Sequence, residues 1–145
     1  MRAIIQRVNS AEVIIENQKI STINTGLVVL LGISIDDNST KIKKMCDKIL
    51  NIRLFANNNK NMDLSIRDIN GELLIVSQFT LYANCNQGNR PSFLESADRK
   101  HAENIYNELV NYMSKQNIDV KYGKFGADME VCLANNGPIT IIYEV

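Results

Sequence analysis

Histidine, proline, tryptophan and cysteine are all scarce here: 145 residues carry one histidine, two prolines, no tryptophan and three cysteines. Cys46, Cys85 and Cys132 are odd in number, widely spaced and form no C-x-x-C pair. With His101 as the single imidazole they make no zinc ligand set, so no metal and no other cofactor is expected. Scattered cysteines of this kind suit a reducing compartment. Long hydrophobic runs are missing too. Leu27 to Leu31, extended by Gly32 and Ile33, is far too short to span a bilayer. At the N-terminus, Ala3-Ile4-Ile5 is cut off by Gln6 and Arg7 before it could form a signal peptide. A soluble, cytoplasmic protein without a membrane partner is expected. Charge of one sign is also absent, since 16 basic residues balance 16 acidic ones. No global field invites nucleic acid; a nucleic-acid partner would need a local basic patch, and no DNA partner is expected.

The composition that remains, 45% apolar and 22% charged, is ordinary for a globular chain. Ala11 to Glu16 and Lys19 to Ile23, with Asn17-Gln18 between them, predict a strand and hairpin after a first strand-like stretch at 2–8. Gly26 to Ile33 has no charge and predicts a strand buried on both faces. Ile42, Met45, Cys46, Ile49 and Leu50 recur at helical spacing behind a cap at Asn38 or Ser39. That places Cys46 on the apolar face, as packing. Lys41, Lys44 and Lys48 share the opposite face, either as a solvated stripe or as a contact for RNA phosphates. Arg53 to Phe55 and Met62 to Asp68 read as short strands. Asn70-Gly71 reads as a hairpin turn returning through Leu73 to Val76. A second helix, capped by Ser96 or Asp98, presents Ala102, Ile105, Tyr106, Leu109 and Met113, with His101 beside that face. Asp119 to Tyr122, Met129 to Ala134 and Ile139 to Tyr143 close the pattern. The expected fold class is α/β: a single β-rich domain over 1–145, with a mostly antiparallel, barrel-like sheet and two amphipathic helices.

The side chains offer little for catalysis. Ser77, Thr80, Ser92 and Thr140 would compete for one histidine that sits in a helix, and no G-x-S-x-G elbow is present. No phosphate-cradling glycine motif occurs either, Gly123-x-x-Gly126 lacking the pattern. What remains is backbone amides as oxyanion stabilisers, helped by a functional group of the substrate. Two stretches end strand-like runs with small polar groups: Ser77-Gln78-Phe79-Thr80, and Asn135-Asn136-Gly137-Pro138-Ile139-Thr140. Read alone, the second is an ordinary turn.

Taken together, these two stretches resemble the signature motifs of the D-aminoacyl-tRNA deacylases of the D-tyrosyl-tRNA deacylase type. The resemblance runs the whole length: Ile5-Gln6-Arg7-Val8, Gly26 to Gly32, Arg90-Pro91-Ser92-Phe93 and Phe125-Gly126-Ala127-Asp128-Met129 are similar as well, in the same order. It implies a cytoplasmic homodimer that hydrolyses the ester joining a D-amino acid to the terminal ribose of tRNA, a proofreading hydrolase of translation. It implies a cis Gly137-Pro138 peptide that reaches into the other subunit's pocket and rejects L-aminoacyl esters. Such a filter admits glycine, so glycyl-tRNA mischarged on alanine tRNA is a second implied substrate. Ser77, Gln78, Phe79 and Thr80 are the implied catalytic stretch; Asn135, Gly137, Pro138 and Thr140 are the implied substrate-binding residues. Either Thr80 attacks the ester, or N–H groups near Phe79 and Thr80 hold its carbonyl while the ribose 2′-hydroxyl assists water. The second is favoured, because nothing would activate the threonine. Phe79 is then a stacking face for the terminal adenine or a plain core residue. Lys41, Lys44, Lys48, Lys121 and Lys124 are the candidates to meet tRNA. The alternative is a non-catalytic RNA-binding or amino-acid-sensing domain on the same fold.

Overall fold

A single long strand, β1 (Arg2–Ile15), supplies both edges on which most of the sheet is assembled. A computed structural model describes residues 1–86 and 88–145. Along one edge β1 pairs antiparallel with β6 (Glu130–Glu144) over nearly its whole length. Along the other it pairs antiparallel with β3 (Gly26–Gly32) through Arg2 to Val8, and with β2 (Gln18–Ile23) through Ala11 to Ile15. β4 (Glu72–Ser77) then lies parallel to β3, and β5 (Asp119–Tyr122) parallel to β4. Ser21 Oγ of β2 donates to the carbonyl of Tyr122 in β5 at 2.7 Å, so the mixed sheet comes round to a nearly closed barrel.

The two faces of this sheet hold two cores. Val8, Ala11, Val13, Ile23, Val28, Leu74 and Val76 cluster on one face. Ile5, Leu27, Val29, Leu31, Leu73 and Ile75 pack on the other against α1 (Ser39–Asn51) and α2 (Arg99–Ser114). β3 and β4 feed both cores, which is why their sequences are uninterrupted apolar runs rather than alternating ones. Asn38 and Asp98 are the two helix caps, each carboxamide or carboxylate oxygen accepting from two first-turn N–H groups. The buried face of α1 is the expected one; that of α2 gains Val110, while Ala102 is only partly buried.

Two local readings are corrected. The first hairpin turns at Glu16-Asn17, both with positive φ (50° and 61°), one residue earlier than the Asn17-Gln18 reading. Positive φ at both central residues is what a two-residue turn needs to match strand twist. The second is larger. Asn70-Gly71 is a turn, with Asn70 at φ 49°, but no hairpin follows. Of 62–68 only Leu64 makes a bridge, with Phe55. The Asp68 carboxylate accepts from both the N–H and the hydroxyl of Ser65, and Gly71 N–H donates to the Ile66 carbonyl, closing the segment on itself. Leu73 to Val76, buried throughout, then finds neighbours on both edges in β3 and β5, in parallel.

Gly26, at the first pairing of β3 with β4, is packed backbone to backbone. A Cβ there would lie 1.8 Å from the Glu72 carbonyl oxygen. Gly26→Ala is expected to destabilise the fold by at least about 3 kcal/mol in denaturant unfolding.

Buried Asp37 ties the start of the chain to the entrance of α1. Its carboxylate accepts from the Met1 amine at 2.6 Å, the Ser34 N–H at 2.8 Å and Lys41 Nζ at 3.0 Å. Burial pushes the carboxyl up, but these donors outweigh it and hold it below the usual carboxylate range. A carboxyl depressed in the folded state stabilises above its unfolded pKa, about 3.9, and loses that contribution as pH falls through the folded value. Wild-type stability is therefore expected to drop in acid below about pH 4, with Asp37→Asn less stable at neutral pH and flatter through the acid range.

Candidate functional site

β4 ends by delivering Ser77 to the rim of the sheet, and Gln78 N–H makes one last bond there, to the Leu31 carbonyl at 2.8 Å. The chain then winds into a single 3-10 turn, Phe79–Tyr82. Leu81 N–H donates to the Gln78 carbonyl at 3.3 Å and Ala83 N–H to that of Thr80 at 3.0 Å. A first helical turn leaves its own N–H groups without intrahelical acceptors. Among the described residues, nothing else takes up those of Phe79 and Thr80. The turn seats directly on Gly32, where a Cβ would lie 3.0 Å from Leu81 Cβ and 3.2 Å from the Gln78 carbonyl.

Beside the turn opens a cleft of about 560 Å³, lined by Ser77, Gln78 and Phe79, by Ala97 and Arg99 at the start of α2, and by Phe125 to Met129. With Leu31 and Ile33 at the end of β3 also in the lining, it is built from four separate parts of the chain. Three of the four residues expected from the first motif line it. The side chain of the fourth, Thr80, does not; its hydroxyl accepts from Gln78 Nε2 at the exposed edge. Phe79 is 57% exposed, with its ring 5.0 Å from that of Phe93 and tilted by 58°, so it is not a core residue. Arg99 escaped the sequence reading because a lone arginine in a first helical turn carries no signal. It lies against Gly126, where a Cβ would come 2.8 Å from Nη2.

No histidine stands in this cleft, and the one carboxylate in its lining is Asp128. His101 Nε2 lies 3.0 Å from the Asp37 carbonyl, away from the lining. Burial pushes the Cys46 thiol up to about 12, consistent with packing rather than reactivity. Among the described residues, no three His, Cys, Asp or Glu side chains gather as a metal set. Of the candidate lysines, Lys41 is paired with Asp37, Lys121 with Asp119, and Lys48 lies 5.4 Å over the Tyr143 ring.

The second motif is not a turn between strands, as its residues alone suggested. β6 runs through it. Gln6 pairs with Thr140 and Val8 with Asn135, so Asn136, Gly137, Pro138 and Ile139 stand opposite Arg7 alone and bulge out of the ladder. The Gly137-Pro138 peptide is cis, and Gly137 has φ 123°. The bulge is braced from both sides. Arg7 donates through Nε to the Asn136 carbonyl at 3.2 Å, through Nη2 to Asn136 Oδ1 at 2.9 Å and through Nη1 to the Leu54 carbonyl at 2.6 Å. Asn135 Oδ1 accepts from Ile139 N–H at 3.0 Å, and its Nδ2 donates to Thr140 Oγ1 at 2.9 Å. The sequence singled out Asn135 but gave Arg7 no role, since its partners are 47 and 129 residues away. Gly137 and Pro138 themselves remain exposed.

Within one chain the two motifs do not meet. None of Asn135 to Thr140 lines the cleft. Three strand spacings and four residues of rise separate Gly137 from Ser77, roughly 20 Å along the curved sheet. Among the described residues, β6 pairs with β1 alone, leaving its outer edge open with Ile142 67% exposed.

Known proteins resemble this chain from end to end. The family described as D-Tyr-tRNA(Tyr) deacylase matches residues 4–144. A D-aminoacyl-tRNA deacylase of Thermosipho africanus (strain TCF52B) is 50% identical over 144 residues, 99% of this chain and 97% of its own. One of Clostridioides difficile (strain 630) is 47% identical with the same coverage. Among solved structures, the c-Myc DNA Unwinding Element Binding Protein superposes with a TM-score of 0.94 at 39% identity, covering 100% of this chain and 99% of its own. A protein described as "a probable eukaryotic D-amino acid tRNA deacylase" shares the fold, at a TM-score of 0.84 and 14% identity over 99% and 98% of the two chains.

Proposed function

The chain belongs to the D-Tyr-tRNA(Tyr) deacylase family, and from that premise we propose that it hydrolyses D-aminoacyl-tRNA as a homodimer, each cleft completed by the Gly137-Pro138 bulge of a second copy. It is a hydrolase of ester bonds, as its relatives' shared name states. The observation that carries the trans arrangement is the bulge itself: braced by Arg7 and Asn135, exposed at its tip and remote from its own cleft. A rigid, exposed backbone loop is suited to reading shape in another molecule, and the open edge of β6 offers a surface for that second copy.

In this reading the ester carbonyl lies at the 3-10 turn, where the N–H groups of Phe79 and Thr80 stabilise the oxyanion; one such donor is worth about 10²–10³ in rate. The ribose 2′-hydroxyl of the substrate assists the attacking water, since the cleft holds no histidine and its one carboxylate, Asp128, is solvent-exposed. Ser77 and Gln78 shape the floor, and Gln78 occupies the Thr80 hydroxyl with a hydrogen bond. Phe79, backed by Phe93, stacks on the terminal adenine, worth about 1–3 kcal/mol. The cis Gly137-Pro138 backbone leaves no room for an L side chain, while Asn135 and Thr140 hold its ends. Glycine, having no side chain, passes, so glycyl-tRNA mischarged on alanine tRNA is a second substrate. Residues 1–145 act as one domain, in the cytoplasm where charged tRNA is found. Among the described residues no helix is long and apolar enough to cross a membrane.

The deciding experiment follows release of amino acid from tRNA charged with D-tyrosine, L-tyrosine or glycine. Loss of the D- and glycyl esters with the L-ester intact is expected; binding of all three without hydrolysis would favour a sensor. Thr80→Ala is expected to retain most activity, and a fall beyond about 10³-fold, near 4 kcal/mol, would make the hydroxyl the nucleophile after all. Gly137→Ala is expected to erode the preference for D over L. The added Cβ would meet Ile139 Cγ1 at 2.9 Å and Arg7 Nη2 at 3.1 Å, at a φ of 123° that L residues avoid. An unchanged D/L ratio would remove the bulge from the filter.

A further inference from the structure

Arg2 belongs to neither motif, yet its guanidinium joins three parts of the chain at the far end of the catalytic turn. In the β1 ladders Arg2 faces Gly32 on one side and Glu144 on the other. Its Nε pairs with the Glu144 carboxylate. Its Nη1 donates to the Leu81 carbonyl at 2.5 Å, and its Cζ lies 4.9 Å over the ring of Tyr82. Leu81 and Tyr82 are the last two residues of the 3-10 turn whose first two, Phe79 and Thr80, carry the proposed oxyanion donors.

A one-turn 3-10 helix has poor internal hydrogen bonding and does not hold its shape unaided. Its final carbonyls lack intrahelical donors, and a cation placed there complements the turn's dipole. Gly32 underneath permits close seating but supplies no side chain to fasten it. The fastening comes from Arg2, whose planar fork can serve a carboxylate and a carbonyl together while its face covers a ring, which a lysine cannot do.

We propose that Arg2 is a positioning residue for the deacylase reaction: clamped between Glu144 and Tyr82, it holds the Phe79–Tyr82 turn so that the Phe79 and Thr80 N–H groups aim at the oxyanion. The proposal rests on the reading of that turn given above. It assigns Arg2 to the rate of the chemical step and not to chirality, because the Gly137-Pro138 bulge is braced separately by Arg7.

The test compares wild type with Arg2→Met, which keeps the stem and loses the donors, and Arg2→Lys, which keeps the charge but gathers its donors on a single nitrogen. Kinetics on D-tyrosyl-tRNA are read together with amide hydrogen exchange of the whole protein. A misplacement near 1 Å costs up to about 10²-fold, so kcat is expected to fall about 10- to 100-fold in Arg2→Met, with KM within about twofold and the D/L ratio unchanged. Arg2→Lys is expected to recover part of kcat. Exchange at Leu81 and Ala83 is expected to quicken while that of the β1, β3 and α1 amides stays as in wild type. Unchanged kcat in either variant of an active enzyme would overturn the proposal, as would unchanged exchange at Leu81 and Ala83. Should Arg2→Met unfold, Arg2→Lys decides by the same two readouts. If wild type hydrolyses nothing, the functional reading has failed, and exchange alone still decides whether Arg2 fastens the turn.

Discussion

The hydrogen-bonded edges of β1 are the constraint on which the rest of this structure depends. One edge fixes β6 and, through the register break at Arg7, forces four residues of β6 out of the ladder. The other edge fixes β3, whose Leu31 carbonyl takes the last ladder bond of Gln78 and whose Gly32 receives the turn that follows. Both elements of the proposed site are thus set by pairings to one strand, Arg7 bracing the bulge and Arg2 meeting the turn. Barrel-like closure makes this a stiff reference frame, since a one-residue slip of β1 would turn each of its two cores toward the other face.

A site of this kind accounts for the poverty of the chain's catalytic side chains. In the proposed mechanism, with the one histidine at the Asp37 carbonyl, acid–base work falls to the substrate's 2′-hydroxyl and electrostatic work to the backbone. Backbone donors are fixed by the fold and need no reorganisation as charge develops, which is where preorganised dipoles are most effective. The proposed backbone filter would likewise read the configuration at the α-carbon without reading the side chain, leaving the cleft permissive for residue type and strict for hand. The cost is that small backbone displacements matter, and each element is accordingly held by residues outside it: the side chains of Arg7 and Asn135 for the bulge, the close seat at Gly32 and the proposed Arg2 clamp for the turn.

The sequence was legible where local physics decides. The helical spacing of Ile42 to Leu50 and the uncharged run of β3 appear as read, and of the two caps offered for each helix the structure uses Asn38 and Asp98. It misled where a local signal was overridden by distant partners. Asn70-Gly71 is a genuine turn signal, but a buried, all-apolar β4 was drawn between β3 and β5 instead of back along its own predecessor. Asn135 to Thr140 reads as a turn by composition, yet pairing with β1 carries β6 through it. Ser77 to Thr80 and the Gly-Pro pair were recognisable as motifs, whereas Arg2, Arg7 and Arg99 were given no role, Arg7 appearing only within a resembling stretch, because what defines them is contact with residues far along the chain. Phe79 was undecided until its 57% exposure placed it at the cleft rim.

The central claim, that one copy's bulge completes another copy's cleft, is tested most directly by mixing two disabled forms. Ala127→Trp plugs the cleft and leaves the bulge; Gly137→Val spoils the bulge and leaves the cleft. Each alone is expected to lose D-specific hydrolysis. After subunit exchange at equal amounts, half the dimers are mixed and each carries one intact cleft–bulge pair, so about a quarter of wild-type activity, with D-selectivity, is predicted. A mixture that exchanges subunits and stays inactive would contradict the account and return the bulge to a role within its own chain.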